Sequence, residues 1–208
     1  SAKNFTVNSG VFKIISEASL FVNGSVINNT LPENFVVQNK ASLVQTALAS
    51  TRKNQGKIKI FAENTPFKRL DYTLWSSPIK NQNLFDFSPL TINGVTNFIG
   101  SVGRIYVYEG TNGYINPMPF TANTIFDDAR GYLFRAPNNW SITVPEAYEG
   151  LFEGIPNNGD ISVTTHLNNF TSIGNPYAST IDALELFDSN PNLGALYFWT
   201  NTNASEED

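Results

Sequence analysis

The chain has 208 residues, no cysteine, one histidine and a formal net charge of −5 at pH 7. The lack of cysteine excludes disulfide bonds, thiolate nucleophiles and cysteine-bound zinc. An acidic balance without basic clusters argues against a nucleic-acid partner, and no apolar run approaches the roughly 18–20 residues that a membrane-spanning helix needs.

The first part of the chain contains an internal repeat. The segment Phe12–Phe21 returns 23 residues later as Phe35–Val44, with Phe, Ala, Ser and Leu at matching places. A period of roughly 20–30 residues is typical of stacked structural repeats, so we predict a β-solenoid-like segment over residues 1–64. The strands expected there are Phe5–Val7, Val11–Ile15, Ser19–Val22, Phe35–Val37, Ser42–Gln45 and Lys57–Phe61.

Short strand patterns continue through residues 65–203, separated by turn residues such as Asn-Gly. They predict a β-sandwich-like or jelly-roll-like domain, and with it an all-β chain. The expected strands are Leu70–Leu74, Leu84–Phe87, Gly103–Tyr108, Gly131–Arg135, Ser141–Val144, Leu151–Glu153, Ile161–Thr165 and Leu196–Thr200.

One short helix is expected near residues 180–189. Ser179 or Thr180 would cap it, and Asn190-Pro191 would end it. Residues 204–208 form an acidic tail that is poor in apolar side chains.

Few residues suit catalysis or metal binding. A Ser–His–Asp triad would have to use His166, which we interpret as a histidine on the surface of a strand. Glycoside hydrolysis needs two carboxylates at a fixed separation, and the candidates are Glu146, Glu149 and Glu153, and Asp127 with Asp128. Asp127-Asp128 could bind calcium through clustered oxygens, but no EF-hand pattern accompanies them. We therefore predict no catalytic residue, no metal and no cofactor.

Aromatic residues are abundant, with 16 Phe, 8 Tyr and 3 Trp. Flat rings on a polar β-surface are what a sugar-binding face uses. Trp140 is the candidate platform because it follows Asn138-Asn139, and Tyr132 and Tyr148 are the accompanying candidates. Trp75 and Trp199 are expected to be core anchors.

Several blocks resemble a known module. They are Arg69–Pro78, Leu84–Pro89, Ala129–Pro137, Phe152–Gly159, Ile173–Ala183 and Leu196–Thr200. In this order they resemble a module of large secreted surface proteins of flavobacteria and related Bacteroidetes. Those proteins leave the cell by the type IX secretion system.

The resemblance implies a place on the cell surface or outside the cell. It also implies contact with the secretion machinery of the outer membrane and with neighbouring domains of a longer chain. It carries over no catalytic residue. We therefore expect a non-catalytic module for adhesion or display that binds polysaccharide. The alternatives are an ancillary or catalytic region of a carboxylate-based glycan hydrolase, and a packing region competent for secretion that binds no ligand.

Overall fold

A computed structural model describes residues 2–46, 53–91, 104–117 and 121–199. These residues form an all-β arrangement with little helix, as predicted. The strands are β1 (Phe5–Val7), β2 (Phe12–Ile14), β3 (Ser19–Val22), β4 (Val26–Asn28), β5 (Phe35–Val37), β6 (Ser42–Gln45), β7 (Ile58–Glu63), β8 (Tyr72–Trp75), β9 (Ile105–Tyr108), β10 (Tyr114–Ile115), β11 (Tyr132–Arg135) and β12 (Glu149–Gly154). The helices are α1 (Leu84–Phe87) and α2 (Ala183–Asp188), with 3₁₀ turns at Pro32–Asn34 and Gly110–Asn112.

The internal repeat corresponds to a register of parallel strands. β2 pairs with β5 so that Phe12 faces Phe35, and β3 pairs with β6 so that Ser19 faces Ser42. β1 pairs in parallel with β4, and β5 continues in parallel to β7. All six strands expected in this segment are present, whereas β4 had not been predicted.

The repeat places equivalent side chains beside one another. The rings of Phe12 and Phe35 lie 5.3 Å apart edge to face, and Phe5 lies 4.5 Å from Phe12. Ring pairs of this kind contribute about 0.5–1.5 kcal/mol beyond the area they bury. The aromatic positions of the repeat therefore help to fix the strand register.

The first segment is joined to the rest of the chain by a strand pair. β12 runs antiparallel to β7 over six residue pairs, from Glu149–Glu63 to Gly154–Ile58, and closes the sheet β12-β7-β5-β2. Buried residues of both segments belong to one hydrophobic cluster. The division after residue 64 stays a prediction.

A second four-stranded sheet has the order β10-β9-β11-β8 and is antiparallel throughout. Leu133 on β11 faces Leu74 on β8 and Tyr106 on β9. Residues Tyr132 and Phe134, on the other side of β11, belong to the core together with Val107. Side chains on this sheet therefore alternate between the core and an outer face.

The segment Leu84–Phe87 is a helix, so the strand predicted there is wrong. The side chain of Asn83 accepts hydrogen bonds from the backbone N–H groups of Phe85 and Asp86, which caps the helix at its start. Leu84 and Phe87 both face the core, because residues three apart lie on one side of a helical turn.

Phe87 is the meeting point of the aromatic core. Its ring contacts Phe152 of β12 at 4.6 Å, and Trp75 of β8 at 5.0 Å. It also contacts Phe134 of β11 at 5.3 Å. Phe87 thus connects the two four-stranded sheets, together with the direct contact of Trp75 with Phe152 at 6.3 Å.

Three further predicted strands are absent. Over Ser141–Val144, the Ser141 hydroxyl accepts the backbone N–H groups of Thr143 and Val144, which forms a turn. Residues 161–165 and 196–199 are irregular and have no strand partner among the described residues; Thr200 lies outside them. Alternating side chains do not make a strand unless another strand accepts its backbone hydrogen bonds.

Helix α2 is confirmed, but its cap is Asp182 rather than Ser179 or Thr180. The Asp182 carboxylate accepts the backbone N–H groups of Leu184 and Glu185. The tail over residues 204–208 lies outside the described residues.

Three of the blocks that carry the resemblance meet at one buried amide. Asn157 donates from Nδ2 to the carbonyl oxygen of Pro176 at 3.0 Å and to that of Ser77 at 3.4 Å. It therefore ties the segment after β12 to the segments 69–78 and 173–183. A buried hydrogen-bonded amide of this kind holds backbone segments in place.

We predict that Gly56→Ala is strongly destabilising. Gly56 has a φ of +77°, and a Cβ there would lie 1.9 Å from the carbonyl oxygen of Asn28. Strain and clash together should cost about 2–4 kcal/mol of unfolding free energy, measured by urea denaturation.

Gly10→Ala is the matched control. Gly10 has a φ of +72°, but a Cβ there meets nothing within 4 Å, so the cost should be about 1 kcal/mol. Equal losses in the two variants would contradict the close packing around Asn28.

Candidate functional site

The three aromatic residues predicted for sugar binding lie in or against the core. Tyr132 is 1% exposed, and its hydroxyl donates to Oδ2 of Asp127 and accepts the Asp127 backbone N–H. A buried ring cannot present a face to a sugar, so Tyr132 is corrected to a core residue.

Trp140 and Tyr148 are half-buried. The Trp140 ring packs edge to face on Phe67 at 5.0 Å and lies 6.0 Å from the Tyr148 ring. The Tyr148 hydroxyl donates to the backbone oxygen of Phe87. Both rings therefore pack against the core around Phe87.

Trp75 is buried as predicted, whereas Trp199 is 50% exposed. The expectation that Trp199 anchors the core is wrong, because the segment before it is irregular and lies on the surface.

The candidate acids do not form a catalytic pair. Glu149 and Glu153 lie on the exposed side of β12, four residue steps apart, which places their Cα atoms about 13 Å from each other. Glycosidases place their two carboxyl groups about 5–9.5 Å apart. Glu153 is also 3.8 Å from Nζ of Lys59, and Glu146 forms a backbone bridge with Phe67.

Asp127 and Asp128 are held by protein groups. Asp127 accepts from Arg130 at 3.1 Å and from Tyr132, and Asp128 accepts from Nδ2 of Asn157 at 3.4 Å. Within the described ranges, no group of three or more metal-ligating residues comes together.

His166 lies in the irregular segment and not on a strand, so that interpretation is corrected. Its backbone N–H donates to the Thr171 hydroxyl, and its ring packs on Gly110.

The outer face of the sheet β10-β9-β11-β8 carries a cluster of tyrosines. Tyr72 and Tyr106 lie on the two strands that flank β11, with their rings 5.9 Å apart edge to face. Tyr108 faces Tyr114 across β9 and β10, with ring centroids 5.3 Å apart. Leu133 is buried beneath this row, and all four rings are partly exposed. We call Tyr72, Tyr106, Tyr108 and Tyr114 the tyrosine row.

The chain after β12 extends the tyrosine row. Phe170 contacts Tyr108 at 6.3 Å, and Tyr197 contacts Phe170 at 5.5 Å. Trp199 lies 6.4 Å from Tyr114. These three added rings are 50–77% exposed, so the end of the face near β10 has a large aromatic surface.

Two arginines lie at the other end of the outer face. Arg104 precedes β9 and Arg135 ends β11, and Arg135 N–H donates to the Arg104 carbonyl oxygen at 3.0 Å. Burial and the neighbouring Arg104 charge lower the pKa of Arg135. Burial, followed by the neighbouring Tyr106, raises the pKa of Tyr72. The face therefore combines half-buried rings with concentrated positive charge.

Sequence reasoning missed this face although a signal was available. The run Arg104-Ile-Tyr-Val-Tyr108 alternates between apolar residues and residues with a polar group, as a half-buried strand does. Alternation identifies two faces, but only the contacts of β11 show that Tyr106 and Tyr108 lie opposite the core. The sequence predicted Trp140 as the binding platform instead, because Trp140 follows a polar turn.

The strands and the outer face of the sheet β10-β9-β11-β8 define an all-β protein with an aromatic and basic sheet surface. The whole chain, residues 1–208, matches the model of the family described as Domain of unknown function (DUF8693), and the protein belongs to that family. No curated protein and no solved structure matches it. In the described residues, no helix has the length and hydropathy that crossing a membrane requires.

We predict that the unfolding free energy of the Tyr132→Phe variant falls less with rising alkaline pH than that of the parent protein. Burial raises the pKa of Tyr132, so its hydroxyl stabilises the fold below about pH 10, where unfolded tyrosine is also protonated. That stabilisation is lost as the pH rises above about 10. The measurement is the unfolding free energy from urea denaturation at a series of pH values.

At neutral pH the same variant should lose about 1–3 kcal/mol of unfolding free energy, because both hydrogen bonds between the hydroxyl and Asp127 are removed. Above about pH 10 its stability should fall less steeply than that of the parent. Parallel curves for the two proteins would contradict a buried Tyr132 hydroxyl.

Proposed function

We propose that the chain is a non-catalytic, extracellular or cell-surface module that binds polysaccharide through its tyrosine row. The observation that carries the proposal is the placement of four partly exposed tyrosines on one face of an antiparallel sheet. A regular sheet holds these rings at fixed spacings, which suits a ligand made of repeating units.

Tyrosine suits this ligand because its ring stacks on the apolar face of a sugar while its hydroxyl bonds to sugar hydroxyls. Asn169 adds a polar group beside the row, since its Oδ1 lies 3.3 Å from the Tyr108 hydroxyl. Phe170, Tyr197 and Trp199 lengthen the contact surface. A long shallow face of this kind favours a chain of sugars over a single small molecule.

The proposal extends to the architecture. The parallel pairs at a 23-residue spacing support β-solenoid-like rungs, and the two sheets connected through Phe87 support a β-sandwich-like domain. β1, β2 and β3 each lie at the edge of their sheet. Unpaired strand edges accept further strands, so a neighbouring domain of a longer chain would stack there.

The sequence blocks support secretion, because they resemble modules of surface proteins that leave Bacteroidetes through the type IX system. In this proposal the partners are the outer-membrane secretion machinery and an extracellular polysaccharide, and the role is adhesion or display. Labelling of intact cells with a membrane-impermeant reagent tests the location: a chain that reacts only after lysis would contradict it.

We predict that Tyr108→Ala and Tyr114→Ala each weaken binding to the best ligand in a polysaccharide panel by about three- to tenfold. That range corresponds to one stacked ring. Affinity is measured by isothermal titration calorimetry with oligosaccharides of the polymer that binds.

Phe21→Ala is the matched control, because Phe21 is an exposed ring on β3, away from the outer face. Trp140→Ala should leave affinity unchanged while lowering stability, because it packs on Phe67 and Tyr148. Affinity that falls in Trp140→Ala alone, or no saturable binding to any polymer, would overturn the proposal.

A further inference from the structure

The arginines beside the tyrosine row form a positive cluster with three members. Arg135 donates from Nε to the carbonyl oxygen of Arg69 at 3.1 Å, and its backbone pairs with Arg104. Arg135 also faces Tyr72 across β8 and β11. Three of the five arginines in the chain thus lie at one end of the outer face, in a protein whose net charge is −5.

In the described ranges, the ion pairs of the protein lie outside this cluster. Among the described residues, the ion pairs are Lys59 with Glu153 and Arg130 with Glu109 and Asp127. The side-chain bonds of the cluster go to neutral acceptors instead: Arg104 to Oδ1 of Asn138 at 2.8 Å, and Arg135 to the Arg69 carbonyl.

One donor of the cluster is buried without an acceptor. Nε of Arg69 has no hydrogen-bond partner in the structure. A buried unsatisfied donor is costly, and the positive charges of Arg104 and Arg69 both lie close enough to repel that of Arg135. An anion at this position would relieve both, since guanidinium groups bind carboxylate and sulfate oxygens through paired N–H groups.

We propose that Arg69, Arg104 and Arg135 bind the acidic groups of an anionic polysaccharide whose sugar rings lie along the tyrosine row. This inference rests on the proposed function and deepens it, because it names the chemical class of the ligand. The acidic group is a uronate carboxylate or a sulfate ester, each with the oxygens that an arginine fork accepts. Tyr72 and Tyr106 then hold the sugar next to the charge.

The experiment compares two pairs of polymers that share a backbone. Polygalacturonate and its fully methyl-esterified form differ in carboxylate, and dextran sulfate and dextran differ in sulfate. We expect the acidic member of at least one pair to bind the parent protein at least about tenfold more tightly than its neutral partner. The pair that shows the difference identifies carboxylate or sulfate as the recognised group.

Arg104→Gln and Arg135→Gln should each lower affinity for the acidic polymer by about tenfold, because each removes one charge-assisted contact. Affinity for the neutral partner should not change. Lys80→Gln is the matched control, since it removes the same charge from an exposed turn elsewhere. Circular dichroism of each variant checks that it is folded.

Salt dependence gives a second measurement on the unaltered protein. Raising NaCl from about 0.05 M to about 0.5 M shortens the screening length and should weaken binding of the acidic polymer only. Equal affinity for the members of both pairs would overturn the anionic ligand while leaving polysaccharide binding in place. No binding to any of the four polymers would overturn the ligand class, and failure across a broad neutral panel as well would overturn the proposed function.

Discussion

The packing of Phe87 between two sheets is the contact on which the rest of the structure depends. Its ring lies against Phe152 of one sheet and against Trp75 and Phe134 of the other. Gly150 on β12 leaves room for it, because a Cβ there would lie 2.7 Å from Cε2 of Phe87. Burying one phenylalanine that touches several elements stabilises all of them, and truncating such a ring typically costs about 3–5 kcal/mol.

This packing determines which side of the sheet β10-β9-β11-β8 faces solvent. Trp75, Tyr132 and Phe134 point toward Phe87 and its neighbours, so the alternate residues must lie on the outer face. Those alternate residues are tyrosines, two leucines and the arginines at the ends of β9 and β11. The aromatic core and the proposed binding surface are therefore two sides of the same strands.

The N-terminal part of the fold could be predicted from the sequence, because there the repeat in the sequence sets the register in which the parallel strands pair. A residue that returns after 23 positions in a stack of parallel strands lies beside its earlier copy, as Phe12 lies beside Phe35. The later half was less predictable. Asn83 turns one apolar stretch into a helical turn, and Ser141 turns another into a tight turn, each by accepting two backbone hydrogen bonds.

The candidate site, like the fold, could be predicted from the sequence only in part. The alternation around Tyr106 was visible in the sequence, but the choice of outer face depends on which strands pair with β11. The arginine cluster joins Arg69, Arg104 and Arg135, which are far apart along the chain and come together only in the folded protein. Trp140 was a misleading signal, since its position after a polar turn gave no indication of the rings of Phe67 and Tyr148 beside it.

The most direct test is a titration followed by NMR, in which the tyrosine ring signals of the protein are recorded as an acidic oligosaccharide is added. The account predicts that the signals of Tyr72, Tyr106, Tyr108 and Tyr114 shift together with the Arg104 and Arg135 side-chain resonances, while those of Tyr132 and Tyr148 stay in place. Shifts centred on Trp140 and Tyr148, with the outer face unchanged, would contradict it.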